Sequence, residues 1–133
     1  GEYRVQRLQA HFQALSAKVD HIAIISFGYE QVLRQALQRM NLLSYFSDGL
    51  IIGNDTKLLS EVSGNKAACL RKLSNRLGVA KKNVLFVDDD RNNIVSANQS
   101  NCADTLWVKD GRGITSDQMK MIEDRVGVSD DEQ

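Results

Sequence analysis

Four short apolar runs alternate with segments in which apolar residues recur every three or four positions. The runs predict strands over residues 22–25, 50–52, 84–87 and 105–108. The segments between and around them predict helices over about 3–19, 32–40, 67–77, a short stretch at 94–97, and 115–126. This alternation is typical of an α/β fold with parallel strands, right-handed crossovers and helices on both faces of the sheet.

Polar residues and glycines indicate where these elements begin and end. Gly78 lies where a helix C-terminal glycine is expected, and Thr115 with Gln118 predicts a capping box for the last helix. Residues 53–64 and the Gly111/Gly113 segment are predicted to be loops, and the acidic tail 129–133 is predicted to fray.

Three polar groups follow predicted strands: Ser26, the pair Asn54 and Asp55, and the triplet Asp88 to Asp90. In open parallel sheets, ligands bind beyond the carboxyl ends of the strands. Consecutive carboxylates repel one another, and Mg²⁺, which takes a few carboxylate oxygens and keeps several waters, would relieve that repulsion. A solvated acidic loop that starts a helix is the alternative, because negative charge is favourable there.

Two further residues fit phosphate chemistry. Lys66 stands near the start of its predicted helix, where a cation could neutralise a carboxylate or a phosphate; a plain surface lysine is the alternative. Ser26, with the backbone N–H groups of Phe27 and Gly28, could hold a phosphate oxygen; an ordinary turn is the alternative.

Taken in order, these segments resemble the haloacid dehalogenase (HAD) superfamily over residues 21–108. The segment 83–97 is similar to the family's fourth motif in its Asp-Asp-x-x-x-Asn form, with Asp88, Asp89 and Asn93 in the motif positions. Residues 24–26 resemble the second motif and Lys66 the third, although Ala67 stands where many members have proline.

The resemblance implies a three-layer, Rossmann-like (HAD-like) core and a single core domain over 1–133, incomplete at its N-terminus. It implies a magnesium-dependent phosphatase that hydrolyses phosphate monoesters through an aspartyl-phosphate. Asp89 would be the principal Mg²⁺ ligand. Asp88 would be a second ligand or a carboxylate that contacts the ligands, and Asn93 would support the loop. Ser26 would hydrogen-bond the phosphoryl group, and Lys66 would neutralise charge on the nucleophile and the phosphate.

The family's nucleophile, the first aspartate of an Asp-x-Asp motif after a central strand, has no counterpart before Ile22. Only one helical segment precedes that residue, and Asp20 is isolated. The resemblance places the absent strand between the second- and fourth-motif strands. Three hypotheses account for the absent strand. An upstream segment of the natural protein supplies it, or a second chain supplies it. Alternatively, the protein is a degenerate, non-catalytic relative whose sheet has closed up without that strand. This chain alone is therefore predicted to be inactive.

Two functions from different classes stay open at this point. The first is a phosphatase for phosphorylated small molecules or phosphoproteins, with no large cap visible in the sequence. The second is a catalytically inactive HAD-like binding module. A response-regulator receiver is excluded, because too little chain follows Asp90 for that fold.

Composition removes several classes of partner. Seventeen basic and 17 acidic residues balance, so neither nucleic acid nor a membrane surface is an expected partner. No apolar run approaches the roughly 20 residues needed to span a bilayer. Cys69 and Cys102 are expected to be reduced packing thiols, which favours an intracellular, cytoplasmic location. His11, His21 and Trp107 are expected to be structural, with Trp107 in the core.

Overall fold

The computed structural model describes residues 1–47, 49–109 and 113–127. Helices and short strands alternate along these residues. The helices are α1 (Glu2–Ser16), α2 (Glu30–Arg39), α3 (Lys57–Ser60), α4 (Lys66–Leu77), α5 (Arg91–Ser100) and α6 (Ser116–Val126). The strands are β1 (Ile24–Ile25), β2 (Ile51–Ile52), β3 (Leu85–Asp88) and β4 (Asp104–Trp107). Short 3₁₀ turns lie at Leu43–Tyr45 and Lys81–Asn83.

The described strands form two parallel pairs. In one, Ile24 lies opposite Ile51 and β1 pairs with β2. In the other, β3 pairs with β4, from Leu85 opposite Asp104 to Asp88 opposite Trp107. The predicted α/β class with parallel strands is confirmed. The absent central strand and the single-domain boundary 1–133 stay predictions.

The chain divides into two compact units. The first comprises Gly1–Gly53 and Thr115–Gln133, and the second comprises Asn54–Ile114. In the first unit, a core of Leu37, Leu42, Phe46 and Ile51 packs beneath partly buried residues of α1 and α2. The buried His11 of α1 contacts the carboxylate of Glu123 on α6, Nδ1 to Oε2, at 2.7 Å. This pair joins the helices that begin and end the unit.

The second unit is built on α3, α4, α5 and the β3–β4 pair. Its most buried side chains include those of Leu59, Cys69 and Ala97. Both cysteines are buried and free, as expected for packing thiols. Burial raises the pKa of the Cys69 thiol to about 11, although Lys72 and Arg76 oppose the rise.

Several local predictions are confirmed and others need correction. Gly78 ends α4 in the left-handed region at φ 69°, and Thr115 and Gln118 form the capping box. The predicted 53–64 loop contains α3, because Leu58 and Leu59 bury there and fold a helical turn over the unit's core. The short helix predicted at 94–97 spans Arg91–Ser100, and the first strand is shorter than 22–25. Gly111 and the 129–133 tail lie outside the described residues.

Among the described residues, no helix combines the length and the apolar character required to cross a membrane.

Candidate functional site

The site in the second unit is centred on Asp88, the last residue of β3. The strand residues before Asp88 are apolar, so Asp88 lies at the edge of the core, where its side chain is only 6% exposed. A carboxylate at that depth is costly unless it is hydrogen-bonded or paired with a cation. The surrounding residues supply both.

Three donors converge on the Asp88 carboxylate. Lys66 Nζ lies 3.1 Å from Oδ2, and Asn93 Nδ2 donates to the same oxygen at 3.1 Å. The backbone N–H of Asp90 donates to Oδ1 at 2.9 Å. We call Asp88, Lys66, Asn93 and the Asp90 N–H the Asp88 cluster. It brings together three of the residues that the sequence singled out from separate helices and a strand.

The pKa of Asp88 reflects two opposing influences. Burial, the largest, disfavours the charged form and would raise the pKa. The Asp90 N–H, the Lys66 ammonium and the Asn93 amide outweigh it together, so the pKa of Asp88 lies below its usual value. The carboxylate is therefore ionised at neutral pH, as a metal ligand or an anchor for Lys66 requires.

Lys66 begins α4, where the helix dipole disfavours a cation. Two features offset that cost. Asn65 caps the helix by accepting a hydrogen bond from the N–H of Ala68 at 3.1 Å, and Asp88 pairs with the ammonium group. With its side chain only 11% exposed, Lys66 is not the solvated surface lysine of the alternative interpretation.

The three consecutive aspartates have different environments. Asp88 is buried in the cluster, whereas Asp89 and Asp90 are exposed. Asp90 is the N-cap of α5, and its side chain accepts a hydrogen bond from the N–H of Asn92 at 2.8 Å. No hydrogen bond or ion pair joins the Asp89 carboxylate to another described residue. Asp90 therefore fits the interpretation in which the acidic loop starts a helix, whereas metal binding by Asp88 and Asp89 stays a prediction.

Trp107 was expected in the core, and that expectation is wrong. Its side chain is 39% exposed, and its indole N–H donates to the backbone carbonyl of Asp89 at 3.0 Å. The carboxyl end of β4 lies beside Asp88 in register, and this position takes the ring out of the core. The order of strands along the chain could not reveal that pairing.

In the first unit, the loop after β1 carries the residues predicted to hold phosphate. Ser26 Oγ accepts a hydrogen bond from the Gly28 N–H at 3.1 Å, so these two groups are engaged with each other in this structure. Phe27 is 54% exposed. Phosphate binding by Ser26, Phe27 and Gly28 stays a prediction.

Gly53, at the carboxyl end of β2, is a residue that the sequence analysis missed. A Cβ atom there would lie 2.5 Å from the backbone N of Glu30 and 2.6 Å from the carbonyl oxygen of Gly28. Only a residue without a side chain lets the loop after β1 approach this closely. A glycine that directly follows an apolar run was the available signal.

Metal-ligand clusters of the usual composition are absent from the described residues: no group of three histidine, cysteine, aspartate or glutamate side chains is found. The structural roles expected for the histidines hold for His11, which is buried against Glu123. Metal binding by Asp88 and Asp89, the two predicted Mg²⁺ ligands, stays a prediction.

Comparison with known proteins identifies one family. A family model described as haloacid dehalogenase-like hydrolase matches residues 6–101, which is more than half of the chain. The matched region contains Ser26, Lys66, Asp88 and Asn93. Comparisons with curated proteins and with solved structures each gave no match.

Proposed function

The chain belongs to the haloacid dehalogenase-like hydrolase family, and on that premise we propose that it forms the magnesium- and phosphate-binding part of a phosphate monoester hydrolase. The substrate would be a phosphorylated small molecule or a phosphoprotein. Two buried free thiols support an intracellular, cytoplasmic site of action.

The observation that carries this proposal is the convergence of Lys66 and Asn93 on one oxygen of Asp88. These residues are 22 and 5 positions from Asp88 along the chain, yet both contacts measure 3.1 Å. They are the residues that resemble the third and fourth motifs. A cation, an amide and a carboxylate in this arrangement suit the positioning and charge neutralisation on which phosphoryl transfer depends.

The donor atoms fit Mg²⁺. Asp89 offers an exposed carboxylate directly after the ionised Asp88, and Mg²⁺ binds through one or two carboxylates together with substrate phosphate and water. When bound, the ion would neutralise charge on the phosphoryl group. Lys66 would stabilise the same charge from the side of α4. Asn93 and the Asp90 N–H would hold Asp88 in place.

The nucleophile is proposed to arrive on a further strand. Among the described strands, β3 has one partner, β4, which leaves its second edge to accept another strand. A strand parallel to β3 on that edge would bring the residue at its carboxyl end beside Asp88. An upstream segment or a second chain would supply the strand, and the aspartate at its end would form the aspartyl-phosphate.

The second candidate is an inactive HAD-like binding module. The Lys66–Asp88 ion pair is the observation that favours it, because Lys66 neutralises the buried carboxylate without any metal ion. Such a module would keep the Asp88 cluster as a structural pair.

One experiment separates the two candidates: hydrolysis of p-nitrophenyl phosphate by the natural full-length gene product, with and without Mg²⁺. We expect magnesium-dependent turnover that Asp89→Asn abolishes. Asp90→Asn is the matched control, because asparagine caps a helix as well as aspartate and the same single charge is lost. Turnover in Asp90→Asn and its loss in Asp89→Asn support the phosphatase. No turnover in the wild type, or equal turnover in all three proteins, would reject it.

A further inference from the structure

We propose that Trp107 is a positioning residue that fixes Asp89 for metal binding. The inference rests on the proposed function, because it assumes that Asp89 is a metal ligand. It concerns a residue outside the recognised motifs, and it follows from contacts within the second unit alone.

Trp107 contacts Asp89 through a hydrogen bond. Trp107 ends β4 directly opposite Asp88, the last residue of β3. From there its indole N–H reaches past Asp88 to the backbone carbonyl of Asp89, at 3.0 Å. A side chain 18 positions further along the chain therefore holds the peptide group that follows the strand.

Two cationic side chains hold the indole ring of Trp107. The guanidinium carbon of Arg91 lies 6.0 Å from the centroid of the ring, and Lys109 Nζ lies 5.5 Å from it. Both distances are within the range of cation–π attraction. Arg91 is the first residue of α5 and Lys109 follows β4, so cations from two different segments restrain the ring.

Asp89 is anchored through its backbone, and its side chain is exposed. Its carboxylate is exposed and makes no hydrogen bond or ion pair with another described residue. Its backbone carbonyl is the group that a side chain anchors. Fixing the main chain limits the directions in which the carboxylate can point, and this lowers the ordering cost when a ligand binds. Supports of this kind commonly set the affinity of a metal site.

The test measures Mn²⁺ binding by the 133-residue chain, through the electron paramagnetic resonance signal of the free ion. Trp107→Phe keeps an aromatic ring but removes the N–H donor. We expect Mn²⁺ binding to weaken about threefold to tenfold, as for the loss of one hydrogen bond. Thr105→Val is the matched control, because it removes a side-chain hydrogen bond to Asn98 (2.9 Å) from the same strand. The Mn²⁺ affinity of Thr105→Val should stay within about twofold of that of the wild type.

A second measurement needs no variant. The chain has a single tryptophan, so its indole N–H gives one resonance. In the metal-free protein this proton should exchange with solvent more slowly than that of a free indole, and Mg²⁺ should shift the resonance.

The outcomes distinguish the two proposals. If Trp107→Phe binds Mn²⁺ as tightly as the wild type, or loses no more affinity than Thr105→Val, the positioning role is wrong and the metal site stands. An indole resonance that Mg²⁺ leaves unmoved in a protein that binds Mn²⁺ also rejects the role, even if Trp107→Phe fails to fold. A wild type that binds no metal rejects the magnesium site first and this inference with it.

Discussion

The carboxyl end of β3 and the carboxyl end of β1 are organised in different ways. After β3, side chains make the contacts: Lys66 and Asn93 reach a buried carboxylate from two helices. After β1, the backbone makes them: the loop lies against Gly53 and folds back so that the Gly28 N–H meets Ser26 Oγ. The first arrangement depends on charge and the second on the absence of a side chain, so different substitutions should break each.

The largest effect is expected from Lys66→Ala. It leaves the buried Asp88 carboxylate without its cation, and the loss of one partner of a buried ion pair costs about 3 kcal/mol of unfolding free energy. Urea unfolding measures this. The control is Lys57→Ala: Lys57 pairs with Glu61 at 3.6 Å but is 87% exposed, so no measurable change is expected. Equal losses in the two variants would show that the Lys66–Asp88 pair behaves as a surface pair.

The next effect is expected from Gly53→Ala. The new methyl group would meet backbone atoms of the loop after β1, and the strain should cost about 2 kcal/mol. Gly28→Ala is the matched control in the same loop, where the nearest atoms lie at an ordinary 3.6 Å and a change below about 0.5 kcal/mol is expected. If Gly53→Ala is as stable as Gly28→Ala, the close approach of the loop is not a constraint.

The smallest effect is the acid dependence of stability. Because the pKa of Asp88 is lower in the folded protein than in the unfolded chain, the unfolded chain binds more protons between the two pKa values. The contribution of Asp88 is therefore complete above about pH 4 and is lost as the pH falls through the folded pKa. Urea unfolding at a series of pH values should show that the free energy of unfolding falls less on acidification in Asp88→Asn than in the wild type. Parallel curves for the two proteins would contradict this.

Much of the fold and part of the site were predictable from local patterns. The order of elements follows from hydrophobic periodicity, and the Gly78 and Thr115 helix ends follow from local backbone chemistry. The meeting of Lys66, Asp88 and Asn93 followed from the family resemblance, because motif spacing carries information about distant contacts. The phosphate-binding role of Ser26 and the metal-binding role of Asp89 stay predictions.

What the sequence did not indicate depends on contacts between distant segments. The exposure of Trp107 arises from its register opposite Asp88, which apolar runs alone do not specify. Gly53 is required because another loop lies against it, and that loop is more than 20 residues earlier in the chain. Leu58 and Leu59 resembled loop residues because a single helical turn is too short to show periodicity.

The burial of the two cysteines has a consequence for chemical labelling. Cys69 and Cys102 both belong to the second unit, and the first unit has no thiol. The thiolate is the reactive form, and burial keeps Cys69 protonated. Thiol-directed reagents should therefore modify the chain only when the second unit opens. Alkylation kinetics would report the opening of the unit that holds the Asp88 cluster, with no signal from the other.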